Sequence, residues 1–327
     1  MREIAPDDIK HFMCREGVDL VGFTSVEAFE DWDGVFRGRL ADGTLPSRYG
    51  RELYADPCHL LPGARSLIVF AMSHVGFAGG DEPGYASVCG VAWARKRAKE
   101  ITASLVDFIR GEGHQAVEAS DIPLKATAVR AGIAVQRKNT IAYTEDGGSA
   151  VRLNAVVTDL ELPPGEISDS RPCGECTLCI EACPTGALTG DYVLDAGRCL
   201  CYLLEHDSDF PEELRPMTGS RLLGCDTCQV VCPHNTEVSI LSSRDLPWLN
   251  LEALAKEAIE DPEGLNRKLC IQHAFPLFSE YTVSRTIAIN LGNWGAPQAF
   301  PLLRRLQESP WPEVAEAARW ALQRIEE

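Results

Sequence analysis

Nine of the thirteen cysteines lie between residues 173 and 232, and their spacing limits what this chain can fold around. Residues 173–184 read C-x2-C-x2-C-x3-C-P, residues 225–233 read C-x2-C-x3-C-P, and Cys199 stands between the two runs. An iron–sulfur cubane takes one thiolate per iron, so it needs four convergent sulfurs. Two residues between ligands let a tight loop wrap a cubane with three thiolates, and a fourth cysteine followed by proline leaves the loop for the other cluster. This reading gives one [4Fe–4S] cluster to Cys173, Cys176, Cys179 and Cys232. The second takes Cys183, Cys199, Cys225 and Cys228, with Cys199 supplied from a distance. The competing reading is a pair of structural zinc sites, since C-x2-C pairs also suit zinc, but the triple C-x2-C-x2-C-x3-C-P fits tetrahedral zinc poorly. Cys201 is either a spare buried thiol or a group pointing into a neighbouring cofactor. Cys14, Cys58, Cys89 and Cys270 are expected to fill the core.

Length and charge set further bounds. A chain of 327 residues has room for two or three domains. No stretch reaches the roughly 18 apolar residues that a membrane helix needs. The opening "MREIAPDDIK" has neither a basic nor an apolar leader pattern, so the reading places the chain in the cytoplasm, where thiols stay reduced. A net charge of −17 opposes broad nucleic-acid binding, although a local basic patch remains compatible with it.

The pattern divides into three regions and predicts an α+β protein. In residues 1–165, "SLIVFAM" (66–72) reads as a buried strand and "AVRLNAVVTDLEL" as an alternating one. "AWARKRAKEITASLVDFIRGEG" reads as an amphipathic helix, and "LKATAVRAG" as a helix stopped by Gly132. Residues 166–240, rich in cysteine, glycine and proline, cannot form an ordinary packed core. Residues 241–327 read as short paired helices, like one or two HEAT repeats.

Several stretches together resemble the epoxyqueuosine reductases, relatives of corrinoid-dependent reductive dehalogenases. They are "ADPCHLLPGARSLIVFAMSH", "AVRAGIAVQRKNTI", "NAVVTDLELP", "CGECTLCIEACPTGAL", "RCLCYLLEH", "PEELRPMTGSRLLGCDTCQVVCPHN" and "RTIAINLGN". The resemblance covers nearly the whole chain. It implies a nitroreductase-like N-terminal α/β domain that binds cobalamin base-off, a bacterial-ferredoxin-like double-cluster domain and HEAT-like C-terminal helices. It implies electrons from a small donor such as a ferredoxin or flavodoxin, passing through two clusters to cobalt. The substrate so implied is epoxyqueuosine in tRNA, reduced to an alkene with a carboxylic acid giving the proton. No D-x-H-x-x-G motif surrounds any of the seven histidines, which agrees with a base-off corrinoid.

Carried over residue by residue, the resemblance puts the catalytic acid at or near Glu118, with Asp121 three residues on. It puts Lys138, Asn139 and Thr140 of "QRKNT", and Cys201, Cys225 and Asp226, next to the cofactor. The chain departs from the family where "YASVCGVAW" holds Gly90, Val91 and Ala92 in place of Asp-Tyr-His. Tyr54 replaces an arginine, and Val135 replaces a tryptophan. Arg221 reads either as part of the approach to the second cluster or as a surface ion pair. Arg95, Lys96, Arg97 and Lys99 offer a basic stripe, while Arg130, Arg137 and Lys138 suit a cofactor phosphate. Two alternatives stand beside the tRNA substrate. One is a paralogous corrinoid reductase acting on a small molecule. The other is an electron-transfer protein or reductive activator serving a separate corrinoid protein.

Overall fold

The computed structural model describes residues 4–18, 20–45, 55–74, 76–78, 82–119, 121–167, 173–206, 209–245, 249–273, 279 and 281–327. Tyr54 lies outside these residues. The N-terminal region contains α1 (Pro6–Arg15), β1 (Leu20–Ser25), α2 (Glu30–Asp42), β2 (Ser66–Ser73), β3 (Phe77–Ala78) and β4 (Ser87–Val88). It continues with α3 (Gly90–Gly111), β5 (Ala116–Glu118), α4 (Leu124–Arg130), β6 (Val135–Gln136), β7 (Ala142–Tyr143) and β8 (Val151–Thr158). Four of these strands form an antiparallel sheet in the order β1-β2-β8-β5, and β6 pairs with β7.

The uninterrupted apolar run of β2 follows from burial on both faces. Successive side chains of a strand point to opposite sides. Ile68, Phe70 and Met72 therefore meet Ile9 and Met13 of α1 and Ile101, Leu105 and Ile109 of α3. Leu67, Val69 and Ala71 face the other way, onto Ala128 of α4 with Ile133 and Ala155. Gly132 ends α4 at φ +75°, and its backbone lies so close to the Glu166 carbonyl that a side chain would collide with it.

The middle region is built from short pieces: α5 (Leu178–Glu181), β9 (Leu188–Gly190), β10 (Val193–Leu194), α6 (Leu200–Glu205), β11 (Arg221–Leu223), α7 (Thr227–Val230) and β12 (Ile240–Leu241). It is stitched into the N-terminal region by two parallel pairings, β11 with β4 and β12 with β3. Five helices follow: α8 (Leu251–Glu260), α9 (Pro262–His273), α10 (Thr282–Trp294), α11 (Ala299–Leu306) and α12 (Pro312–Glu326). One hydrophobic core draws on Ala86, Val88 and Ala92, on Leu200, Leu203 and Leu222, and on Leu254, Ile287 and Ala318.

Helix α10 explains why "RTIAINLGN" carries polar residues through a buried helix. Arg285, 3% exposed, donates to the carbonyls of Leu203 and His206. Asn290 donates to the Ser220 and Arg221 carbonyls, and Asn293 to those of Arg215 and Gly219. These bonds fasten irregular backbone, which has no ladder partners of its own, onto the helical layer.

The core-filling expectation holds for Cys89, which is buried, and fails for Cys14, which is exposed on α1. Cys58 and Cys270 are half-buried.

Arg215 closes this layer from the other side. Its guanidinium donates to the Phe210 carbonyl and makes a two-pronged pair with Glu316 of α12 at 2.8 and 2.9 Å. Arg215→Met should strand the Phe210 carbonyl and cost about 2 kcal/mol. A urea melt reads this as a lower midpoint at constant slope; an unchanged midpoint would mean the pair contributes nothing to holding α12.

Candidate redox centre

The two cysteine runs fold alike. Each ends in a single helical turn, α5 or α7, and these two turns pack against each other. The Thr177 carbonyl accepts from Ile180 and Glu181, and the Asp226 carbonyl accepts in the same way from Gln229 and Val230. Pro184 and Pro233 then turn the chain away, because proline cannot continue the turn.

Cys173, Cys176 and Cys179 of the first run and Cys232 of the second line one cavity of about 210 Å³, together with Arg137, Lys138, Leu178 and His234. These are the four thiols assigned above to one cluster. Among the described residues, no three His, Cys, Asp or Glu side chains converge closely enough to hold a single metal ion. Four thiols lining one volume suit a polymetallic cube.

Cys183, Cys199, Cys225 and Cys228 form the second group, close enough for their charges to act on one another. Burial pushes the Cys199 thiol up to about 11 and the Cys228 thiol well above its ordinary value. Such groups give up their protons only to a bound cation, as metal binding does. Threonine hydroxyls stand 3.8 Å from Cys183 Sγ (Thr185) and 3.3 Å from Cys225 Sγ (Thr227). Hydrogen bonds to sulfur tune cluster potentials.

A residue that sequence reasoning missed is Lys125. Its side chain is exposed, and desolvation by the surrounding protein pushes its ammonium below the ordinary value. The charges of Cys199, Cys201 and Cys228 act on it, so it lies near the second sulfur group. Lys125 Nζ is anchored on the Thr140 carbonyl at 2.7 Å.

Beside the same group, Cys201 Sγ donates to Glu205 Oε1 at 3.5 Å, and Glu205 pairs with Arg95 at 3.7 Å. Any side chain at Gly224, which has φ +65°, would collide with Cys89 Sγ, so this thiol sits against the backbone leading into Cys225. Burial pushes the Arg152 guanidinium down to about 10, while Glu205 and Glu118 pull it up. Glu118, exposed at the end of β5, thus belongs to one electrostatic wall with Arg152, Glu205 and Arg95. Asp121 is exposed in the turn that follows. The buried Nε–H groups of Arg95 and Arg152 have no hydrogen-bond partner among the described residues. With Lys125 they are donors that fit the amide and phosphate oxygens of a corrinoid.

The turn at 137–140 lies between the sulfur groups. Lys138 pairs with Asp191 at 2.9 Å and lines the first cavity. Asn139 Nδ2 donates to Tyr143 Oη at 2.8 Å and to the carbonyl of Cys228 at 3.2 Å. Thr140 takes φ +65°, an uncommon conformation for a residue with a side chain. The buried Asp226 carboxylate accepts from the amides of Ala78 (2.9 Å) and Gly90 (2.7 Å), so here it clamps two loops. Burial still pushes its acid strength down, raising the pKa.

Other charged residues take structural work. Arg130 donates to the Glu27 and Ser25 carbonyls and covers the Phe29 ring. Arg221 donates to Thr218 O and Thr227 Oγ1, and so braces α7 instead of forming a surface ion pair. The expected basic stripe is divided, with Arg95 on Glu205 and Arg97 on Glu16 and Glu100.

Residues 172–235 match the family described as the 4Fe-4S double cluster binding domain. The chain is 28% identical to the epoxyqueuosine reductase of Bacillus cereus over 333 aligned positions, covering 94% of this chain and 86% of that one. It is 32% identical to that of Pseudomonas aeruginosa over 244 positions, 70% of this chain and 65% of the relative. Its fold matches an epoxyqueuosine reductase solved with an epoxyqueuosine-modified tRNA-Tyr stem loop, at a TM-score of 0.83 and 26% identity, over 98% of this chain and 90% of that one. A Bacillus subtilis epoxyqueuosine reductase, solved with its catalytic loop swung out of the active site, matches at a TM-score of 0.83 and 27% identity, with the same coverage.

Two cubanes bring about eight irons, four to each. Cys232→Ala should therefore leave about four irons per chain in anaerobically reconstituted protein, while Cys14→Ala, outside both sulfur groups, keeps about eight. Equal iron in the two variants would break the cross-run assignment. On its double-cluster segment, its sequence and its fold, the chain belongs to the epoxyqueuosine reductase-like family.

Proposed function

We propose that the chain is a cytoplasmic, cobalamin-dependent iron–sulfur reductase acting on epoxyqueuosine in tRNA. What supports this reading is an outer cavity lined by four cysteines, a second group of four neighbouring cysteines, and a fold matching a relative solved with a modified tRNA stem loop. Residues 1–165 act as the nitroreductase-like corrinoid-binding domain, 166–240 as the ferredoxin-like double-cluster domain, and 241–327 as HEAT-like helices. Cys173, Cys176, Cys179 and Cys232 would hold the cluster that takes electrons from a small carrier protein, and Cys183, Cys199, Cys225 and Cys228 the cluster that passes them on.

Reducing an epoxide to an alkene takes two electrons and two protons and releases the oxygen as water. Cobalamin, when bound, supplies a strongly reducing centre. Lys125, Arg95 and Arg152 would hold it, and the Lys138–Thr140 turn keeps the inner sulfurs in register through Asn139. Glu118 holds the proton for the departing oxygen, with Asp121 the next carboxyl in the chain. Arg152 lies within electrostatic reach of Glu118.

A small-molecule substrate is the second reading. It is favoured by the ion pairs that occupy Arg95 and Arg97, which deplete the basic stripe available to phosphates. A gel shift with an epoxyqueuosine-modified stem loop across a salt series separates the two. The tRNA reading expects binding that weakens steeply with salt, and absence of binding at low salt removes it. Glu118→Gln should lower turnover about 10²- to 10⁴-fold while both clusters still reduce. Full turnover in that variant would move the acid elsewhere, with Asp121→Asn as the next test.

A further inference from the structure

We infer that the mouth of the outer sulfur cavity is a docking surface for an electron-carrier protein with a cationic contact face. The inference rests on the electron path proposed above and replaces the expected ferredoxin- or flavodoxin-type donor, which is acidic, by a cationic carrier. Large apolar side chains exposed to solvent gather at this mouth. Leu178, which lines the cavity, is 46% exposed, and Val230 on the adjoining α7 is 41% exposed. Tyr192 and Val193 are 44% and 40% exposed. They are held at the rim by the bond from the Tyr192 amide to the carbonyl of Lys138, which also lines the cavity. Contiguous apolar surface around a redox centre marks a contact site.

The sign of the charge comes from which ions are open to solvent. Glu175, within the first cysteine run, Glu181 on α5 and Asp191 beside Tyr192 are exposed. Among the described residues, the cations there are withdrawn or tied to a partner. Arg137 is 8% exposed, Lys138 is 7% exposed and tied to Asp191, and half-buried Arg39 donates to the Tyr192 carbonyl. Arg198, exposed on the same segment, is tied to the Thr185 carbonyl. Four thiolates on a cubane add further negative charge. The face repels an acidic carrier and steers a cationic one, an effect worth about 10- to 10³-fold in association rate at low salt.

Stopped-flow reduction of the reconstituted clusters tests this without substrate. The probes are reduced flavodoxin and the same flavodoxin with its carboxylates converted to amines by carbodiimide and ethylenediamine. The amine form should reduce the clusters at least about 10-fold faster at low salt, and the advantage should shrink as salt rises. Glu175→Lys with Glu181→Lys should reverse the order, with iron content as the control. Two small reductants give the same reading on the unaltered chain. The rate with the reduced methyl viologen cation should fall with salt, and the rate with dithionite, whose active species is an anion, should rise. Native flavodoxin matching or beating its amine form, or both small reductants following one salt trend, would overturn the proposal. Either result leaves the tRNA reading untouched, because tRNA binding is measured separately.

Discussion

The rest of the architecture depends on sulfur crossing between two short loops. Neither loop buries enough apolar surface to fold alone; α5 and α7 are single turns without a buried residue. Cys232 leaves its own run and joins Cys173, Cys176 and Cys179 around one cavity, while Cys183 leaves the first run for the second group. Each crossing makes the position of one loop a condition for the other. The protein around them acts as a mould. Asn235 ties the end of the second run to Ser149 of the sheet region, and Asn139 ties its middle to the turn after β6.

The parts legible in the sequence share a physical feature: their signal is local. The strand at 66–73, the amphipathic α3 and the Gly132 stop each report their own burial or backbone conformation, so period and residue type suffice. The cysteine runs are legible for a related reason, since cluster geometry prescribes spacing. Helix α2 was missed because it buries no side chain and so carries no apolar stripe. The pairings of β11 with β4 and β12 with β3 last only two positions each and join distant segments, leaving no periodicity to read.

The candidate site divides along the same line. Spacing names the thiols but not what surrounds them. Lys125 reads as one more polar residue on a helix, and only the fold turns it toward three thiols. Glu205, Arg95 and Arg152 lie on three separate elements, so no motif links them. Asp226 shows the opposite case. Resemblance points to a cofactor contact, and in the fold one of its oxygens also accepts from the Ala78 and Gly90 amides and the other from the Gln229 side chain. Position in an alignment cannot tell a side chain that meets a ligand from one that shapes the loop meeting it.

Charge is sorted by depth around the two sulfur groups. Among the described residues at the outer cavity, Glu175, Glu181 and Asp191 are exposed while Arg137 and Lys138 are buried, whereas the ammonium of Lys125 and, close by, two guanidinium groups lie near the inner group. A cluster gains negative charge when reduced, and a neighbouring ammonium stabilises that state. The sorting therefore favours the electron on the inner cluster over the outer one. Acids at the mouth and cations within make the path downhill in one direction, toward the wall that carries Glu118.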